Sequence, residues 1–341
     1  MLFEMRKSAA FALTVACAFF AFAGEGARWR IDEVNEISRP DVAESANLSA
    51  IAWVSNSTYI AITDWKSIIW ELCLPHDPKT GKLLSCDMKR ICSPELTVDV
   101  EGLAIDPLDG SVWLADERAA VIRQHRLATG KALAGKVNVP ESLKGFYRDS
   151  GFESLTIGRD GLSMWMSAEE ALKSDGPRAN RKHGTDIRLT KFRRASAKDV
   201  WTMDGQWVYS ADSIAGGPWY NEKKRDLSRS GISEMCLLDD GTVLVLEREF
   251  SVVLIPRLRC RIYETDMSSA KNVIGRKNLS GLKDSEKVKK RLLYETTGFS
   301  MYEGMCLGPV LQDGSRMLVL VSDADKKSFK TVLSLRLSRR E

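Results

Sequence analysis

The sequence predicts an all-β protein, a β-propeller, and two observations carry that prediction. A hairpin pattern recurs along the chain: a short apolar segment, a tight turn, and a second apolar segment that ends in an acidic residue. Most turns contain Asp-Gly, which supplies the positive backbone dihedrals of a two-strand connection. The copies follow one another at roughly 50-residue intervals, a period typical of propeller blades.

Five copies of the hairpin are visible, and they cover most of the chain. They span residues 49–64, 100–117, 151–169, 231–247 and 302–323. Apolar and polar residues alternate in segments such as 121–127 and 186–192, which predicts half-solvated outer strands. Two long intervals, 153–233 and 268–291, are larger or more polar than a blade requires. We expect six blades, with the sixth copy inside one of these intervals.

The two ends of the chain are expected to close the ring. Residues 29–31 are suited to pair with the C-terminal strand 330–337. Such pairing removes an exposed sheet edge, which would otherwise invite aggregation.

The N-terminus has the pattern of a secretory signal. Arg6 and Lys7 precede the apolar segment 11–20, and Ala21-Phe22-Ala23 fits a small-residue cleavage site. The apolar run is too short for a comfortable transmembrane helix. We therefore expect a signal peptide at 1–23, a single propeller domain at 24–341, and an exported protein, periplasmic or secreted, with no membrane span after cleavage.

Mass spectrometry of the protein from its native host should show a chain that begins near Gly24, because the peptidase would cleave after Ala23. An intact Met1 on a cytoplasmic protein would contradict export.

Composition narrows the class of partner. The formal net charge is only +4 over 341 residues, which gives no case for nucleic-acid binding. Six cysteines remain after residue 23, and an even count in an exported protein permits disulfides. One pair among Cys73, Cys86 and Cys92 could join, whereas Cys236 and Cys306 occupy the same hairpin position and are expected to be buried.

Acidic residues recur at equivalent places in the copies. A glutamate precedes the first strand in three copies, and an acid closes the second strand in all five. Around one propeller axis these positions would form rings of carboxylate, which suits Ca²⁺, a cation that takes six to eight oxygen ligands. The candidate metal ligands are Glu101, Glu153, Glu303, Asp116, Glu117, Glu169, Glu247 and Asp323. The alternative is that each carboxylate accepts backbone N–H bonds and only shapes the channel.

Three arginines lie next to these acids. Arg118, Arg148 and Arg248 are candidate substrate-binding residues, because a guanidinium matches the oxygens of a phosphate or carboxylate. The alternative is a salt bridge to the neighbouring acid. No catalytic residue is identified: the sequence has no Gly-x-Ser-x-Gly elbow and no His-x-x-x-His pair.

The sequence resembles the bacterial phytase-like family described as having esterase-like activity. The resemblance covers roughly residues 45–337, with two departures: Ser154, where the family usually has Gly, and Ala324-Asp325, where the family tends to carry further polar residues. It rests mainly on Glu101-Gly102-Leu103-Ala104, Gly151-Phe152-Glu153, Leu246-Glu247-Arg248 and Tyr302-Glu303-Gly304-Met305. It implies a propeller, an exported location, and hydrolysis of phosphoesters or related esters.

Three functions are therefore open from the sequence. The leading hypothesis is a metal-dependent hydrolase, with Ca²⁺ held by the acids and a small anionic ester or phosphoester as substrate. The second is a non-catalytic binding or scaffold propeller of the cell envelope, because fold does not fix function. The third is a calcium-dependent, lactonase-like hydrolase.

Overall fold

The chain folds as a five-bladed β-propeller. The structure, a computed structural model, describes residues 28–64, 66–147, 150–218, 220, 223, 226–252, 256–324 and 329–340. The predicted signal peptide, residues 1–23, lies outside the described residues. Within the described part, twenty strands form five four-stranded antiparallel sheets. A search of the same residues finds no helix long and apolar enough to cross a membrane.

The first three blades follow chain order from the channel outward. Blade 1 contains β2 (Leu48–Ser55), β3 (Thr58–Thr63), β4 (Ile69–Cys73) and β5 (Asp87–Cys92). Blade 2 contains β6 (Val100–Ile105), β7 (Val112–Asp116), β8 (Val121–His125) and β9 (Ala132–Lys136). Blade 3 contains β10 (Phe152–Ile157), β11 (Ser163–Ala168), β12 (Thr185–Arg193) and β13 (Thr202–Ala211).

The last two blades complete the ring. Blade 4 contains β14 (Arg229–Leu237), β15 (Val243–Val252), β16 (Pro256–Asp266) and β17 (Lys289–Gly298). Blade 5 contains β18 (Met301–Val310), β19 (Arg316–Asp323), β20 (Thr331–Arg339) and, as its outer strand, β1 (Trp29–Ser38). Two short 3₁₀ helices, Glu141–Leu143 and Asp284–Glu286, lie in connecting loops.

The expectation of six blades was wrong. The interval 153–233 is long because the outer strands of blade 3, β12 and β13, have nine and ten residues and are preceded by the loop 169–184. The interval 268–291 holds the polar connection between β16 and β17 with one 3₁₀ turn. Among the described residues, neither interval contains a further hairpin.

The predicted closure of the ring is confirmed. β1 pairs with β20 from Trp29 opposite Arg339 to Ser38 opposite Thr331. The first strand of the propeller is therefore the outer strand of the last blade, which joins the two ends of the chain and covers the outer edge of β20.

The core lies between adjacent blades rather than in one central mass. Blades 5 and 1, for example, meet through a cluster that includes Tyr59, Cys306 and Val319. Cys236 and Cys306 are buried in the inner strands β14 and β18, as predicted. All six cysteines of the described residues are free thiols, so no bridge joins Cys73, Cys86 and Cys92 in the structure.

Candidate functional site

A β-bulge marks the start of the inner strand in every blade. The register between first and second strands slips by one residue at this point, which gives the bulged strand one extra residue. A bulge of this kind re-aims a side chain. The extra residues are Ser49, Glu101, Glu153, Ser233 and Glu303. The three predicted glutamates thus occupy one equivalent position, and serine takes it in the other two blades.

A second set of equivalent residues lies at the end of each second strand. Each member directly follows the second-strand residue that pairs with the residue before the bulge. In blade 2, for example, Val100 precedes the bulge and pairs with Asp116, so the member is Glu117. These residues are Asp64, Glu117, Glu169, Arg248 and Asp323. Four blades therefore place an acid here, and blade 4 places Arg248 instead.

Together the two sets form a cluster at one mouth of the central channel, which we call the mouth cluster. Its charged members are Asp64, Glu101, Glu117, Glu153, Glu169, Arg248, Glu303 and Asp323. Arg248 is the positively charged member of this set of eight side chains. The guanidinium lies 2.8 Å from Glu303 Oε1, 2.9 Å from Glu169 Oε1 and 3.5 Å from Glu153 Oε1. One arginine therefore pairs with acids from two other blades.

The acids outnumber the arginine, and their pKa values rise accordingly. Burial, then the nearby Glu169 and Asp99, raise the pKa of Glu117 to about 7. Burial raises the pKa of Glu303 to about 8, against the opposing effect of Arg248 and with support from Asp323. Burial and the neighbouring acids also raise the pKa of Glu101 and Glu153 well above the usual range. Near neutral pH the cluster therefore favours bound protons or another source of positive charge.

Two triads of carboxylates within this region have the spacing of a cation site. Asp99, Glu101 and Glu117 form one, and Glu117, Glu153 and Glu169 form the other; within each triad the ligand oxygens lie within 4.8 Å of one another. Glu117 belongs to both, so two neighbouring cation positions would share this carboxylate. Four of these five acids were candidate ligands from the sequence; Asp99 was not.

A glycine at the start of the next inner strand sets the position of two of the acids. A Cβ atom at Gly151 would lie 2.5 Å from Glu117 Cγ, and one at Gly231 would lie 2.4 Å from the carbonyl oxygen of Glu169. Any other residue at these two positions would push the neighbouring blade away. The close approach also allows Glu169 to receive a backbone hydrogen bond from Ile232, at 3.0 Å.

An open pocket of about 500 Å³ adjoins the first triad. It is lined by Asp99, Glu101, Glu117, Arg118, Phe146, Tyr147 and Ser150. Arg118 Nε lies 2.8 Å from Asp99 Oδ2, and its side chain is 58% exposed. Tyr147 is held by a 2.8 Å hydrogen bond from its hydroxyl to the carbonyl of Gly176. The pocket thus combines carboxylates, one exposed guanidinium and an aromatic wall.

Two predicted ligands do not join the cluster. Glu247 lies one residue away from the ring position, and its carboxylate lies between blades 3 and 4. It accepts hydrogen bonds from Tyr209 Oη of β13 at 2.6 Å and from Lys290 Nζ of β17 at 2.5 Å. Asp116 caps a turn, accepting bonds from the backbone N–H groups of Val98 and Ala119, both at 2.8 Å. Both have the structural role that the sequence left open as an alternative.

The three predicted arginines have different positions. Arg118 lies at the pocket, as expected for contact with a substrate. Arg248 lies in the mouth cluster and is engaged by three glutamates, which corresponds to the salt-bridge alternative. Arg148 lies outside the described residues.

Asp99 was missed, although the sequence holds a signal for it. It precedes Glu101 by two residues and lies directly before β6, so the sequence places a carboxylate beside a candidate ligand. Its backbone carbonyl accepts a 2.7 Å hydrogen bond from Glu117 N, so it is fixed beside the end of the second strand. Because Asp99 lies outside the repeated hairpin pattern, comparison of the copies does not reveal it.

Several comparisons place the chain among known proteins. No curated protein matches it. Several solved structures are similar at low identity. The hydrazine synthase of Kuenenia stuttgartiensis has 10% identity and a TM-score of 0.35, over 89% of this chain and 66% of that chain. The PQQ-bound aldose sugar dehydrogenase of Streptomyces coelicolor has 10% identity and a TM-score of 0.40, over 91% and 98%. The tail fiber of Staphylococcus aureus phage P68 has 10% identity and a TM-score of 0.44, over 90% and 52%.

A family comparison is more specific. The sequence pattern of the phytase-like family, described as "esterase-like activity of phytase", matches residues 44–326. This range includes four complete blades, the inner strands of the fifth, and every charged member of the mouth cluster. The chain therefore belongs to the phytase-like family.

Proposed function

We propose that this chain is a metal-dependent hydrolase of phosphoesters or related anionic esters, and that it acts at the mouth cluster. One observation carries the proposal: the first of two carboxylate triads that share Glu117 lines an open pocket in which Arg118 is exposed. Membership of the phytase-like family agrees with this class of reaction.

The residues present fit a hard divalent cation such as Ca²⁺. The triads offer only carboxylate oxygens, which are the ligands that Ca²⁺ prefers. The raised pKa values of Glu101 and Glu117 mean that burial and repulsion make ionisation of these acids costly, and a cation relieves that cost. Asp99, Glu101 and Glu117 would hold one ion, and Glu117, Glu153 and Glu169 a second. A bound divalent cation supplies Lewis-acid polarisation of a phosphoryl or carbonyl oxygen.

The remaining residues of the pocket bind and orient the substrate. Arg118 exchanges its exposed ion pair with Asp99 for a bidentate contact with the anionic group of the ester. Phe146 and Tyr147 form the wall that excludes water from one side of the substrate, and the bond from Tyr147 to Gly176 keeps this wall in place.

Hydrolysis should be measured on a panel of nitrophenyl phosphate, a phosphodiester, nitrophenyl acetate and a lactone, each with millimolar calcium or with chelator. We expect calcium-dependent cleavage of a phosphorylated substrate. Arg118→Gln should lower kcat/KM for that substrate roughly tenfold or more, because a hydrogen bond to a charged group contributes roughly 1.5–3 kcal/mol. Cleavage of a neutral ester should change much less.

Arg126 offers a matched control, because it is an exposed arginine of blade 2 that does not line the pocket. Arg126→Gln should leave all rates unchanged. Equal loss in both variants would remove Arg118 from substrate binding. Preferential cleavage of the lactone would instead favour the calcium-dependent lactonase alternative.

A non-catalytic binding or scaffold propeller is the second candidate, and Arg248 favours it. This arginine is bound to three glutamates and therefore holds part of the cluster in a fixed arrangement. Cation binding without cleavage of any substrate in the panel would support this candidate over the hydrolase.

Export is also part of the proposal. It rests on the signal pattern of residues 1–23 and on the position of β1, which begins only at Trp29. Cleavage before Gly24 would therefore leave every described strand intact.

A further inference from the structure

The channel contains a second cavity at the end away from the mouth cluster, which we call the lower cavity. Its volume is about 140 Å³, and the inner strands of all five blades line it. Most of the side chains that line it are apolar, with Trp53, Ile157, Met235 and Leu307 among them. Cys236 and Cys306 also face it, and burial raises the pKa of Cys236 to about 12, so this thiol stays neutral.

Two arginines that line this cavity share one aspartate. Arg159 Nε lies 3.1 Å from Asp239 Oδ1, and Arg316 Nη1 lies 3.2 Å from Asp239 Oδ2. One carboxylate thus serves two guanidinium groups. This side of the cavity therefore carries a surplus positive charge next to apolar side chains.

Arg316 is the more informative of the two arginines. The residue is only 8% exposed, and its Nε has no hydrogen-bond partner among the described residues. Burial and the nearby Arg159 lower the pKa of Arg316, which means that the charged form of this guanidinium is destabilised at this position. A buried donor without a partner is costly and calls for an acceptor.

We infer that this lower cavity binds a small aliphatic monocarboxylate, with its carboxylate at Arg316 and Arg159 and its chain inside the channel. An apolar cavity of about 150 Å³ accepts a molecule the size of benzene, so the space suits a body of about four to six carbons. A carboxylate supplies the acceptor that Arg316 Nε lacks and neutralises the surplus charge.

Other ligand classes fit less well. A cation would be repelled by the two arginines, and a neutral alcohol would leave their surplus charge unpaired. Inorganic phosphate has no aliphatic chain to fill the space between the apolar side chains of the inner strands. Glu234, the residue before Met235, does not oppose an anion, since burial raises its pKa well above the usual range and favours the neutral acid.

Calorimetric titration of the whole protein with butyrate tests this inference, with butanol, butylamine and inorganic phosphate as comparison ligands. We expect saturable binding of one butyrate and no binding of the other three. Arg159→Gln should weaken binding about tenfold, because one of the two charged contacts is lost. Arg159 is well exposed, with 57% of its side chain accessible, so this variant should fold normally.

Arg126→Gln is the control and should bind butyrate as the wild type does. Arg316→Lys should keep the charge but weaken binding, because lysine cannot offer a planar pair of donors. The inference would be overturned by absence of saturable butyrate binding, by equal binding of butanol, or by an Arg159→Gln variant with unchanged affinity. The result is independent of the mouth cluster, which lies at the opposite end of the channel.

Discussion

Replacing Arg248 with methionine is expected to destabilise the protein by about 3–5 kcal/mol at pH 8. Removal of one partner from a buried ion pair leaves the other charge uncompensated, and costs of this size are typical. Here the single charge of Arg248 lies against three glutamates, at 2.8, 2.9 and 3.5 Å. Methionine fills similar space without charge, so most of the loss should be electrostatic.

The loss should depend on pH in a defined direction. Glu117 and Glu303 have folded-state pKa values of about 7 and about 8, above the usual value for a glutamate. A group whose pKa is raised by folding favours the folded state at low pH and loses that contribution as the pH rises through the folded-state value. The wild type should therefore become less stable from pH 5 to pH 8. Without Arg248 the same pKa values rise further, so the variant should show a steeper decline.

Urea unfolding of both proteins at pH 5, 6.5 and 8 measures this difference. Arg30→Met is a suitable control, because Arg30 makes an exposed ion pair with Asp32 and such pairs contribute roughly 0–1 kcal/mol. If Arg248→Met were no more harmful than Arg30→Met, or had the same pH dependence as the wild type, the mouth cluster would not be the electrostatic unit described here.

Much of the fold could be predicted because the chain repeats itself. Each hairpin carries its own turn signal, and comparison of the copies identified Glu101, Glu153 and Glu303 as equivalent positions. The pairing of residues 29–31 with the C-terminal strand also followed from a simple requirement, that a propeller must close its ring.

The number of blades was harder to predict, because a long interval in the sequence can hold either longer strands and loops or an additional blade. A nine-residue β12 and a ten-residue β13 occupy sequence that a sixth blade of shorter strands would also require. Periodicity alone does not distinguish these two possibilities.

In blade 4, the residue at the end of the second strand was also predicted incorrectly. Comparison of the hairpins aligned Glu247 with the terminal acids of the other copies, but the register of blade 4 places Arg248 there instead. Since side chains alternate along a strand, a slip of one residue moves a side chain to the opposite face. The sequence pattern does not fix the register to within one residue. Arg248 was therefore identified as a member of the mouth cluster only from the pairing of β14 with β15.

The central claim is that the acids of the mouth cluster bind a divalent cation, and thermal unfolding with added calcium tests it most directly. Binding to the folded state alone stabilises it by about 3 kcal/mol at about a hundredfold excess over the dissociation constant. Calcium should therefore raise the Tm of the wild type, and chelator should lower it. The double variant Glu101→Gln, Glu153→Gln keeps side-chain size but removes one carboxylate from each triad, so most of the shift should disappear. A Glu71→Gln, Glu141→Gln variant, altered outside both triads, should respond as the wild type does. If calcium shifts the Tm of all three proteins equally, or of none, the cluster does not bind the cation.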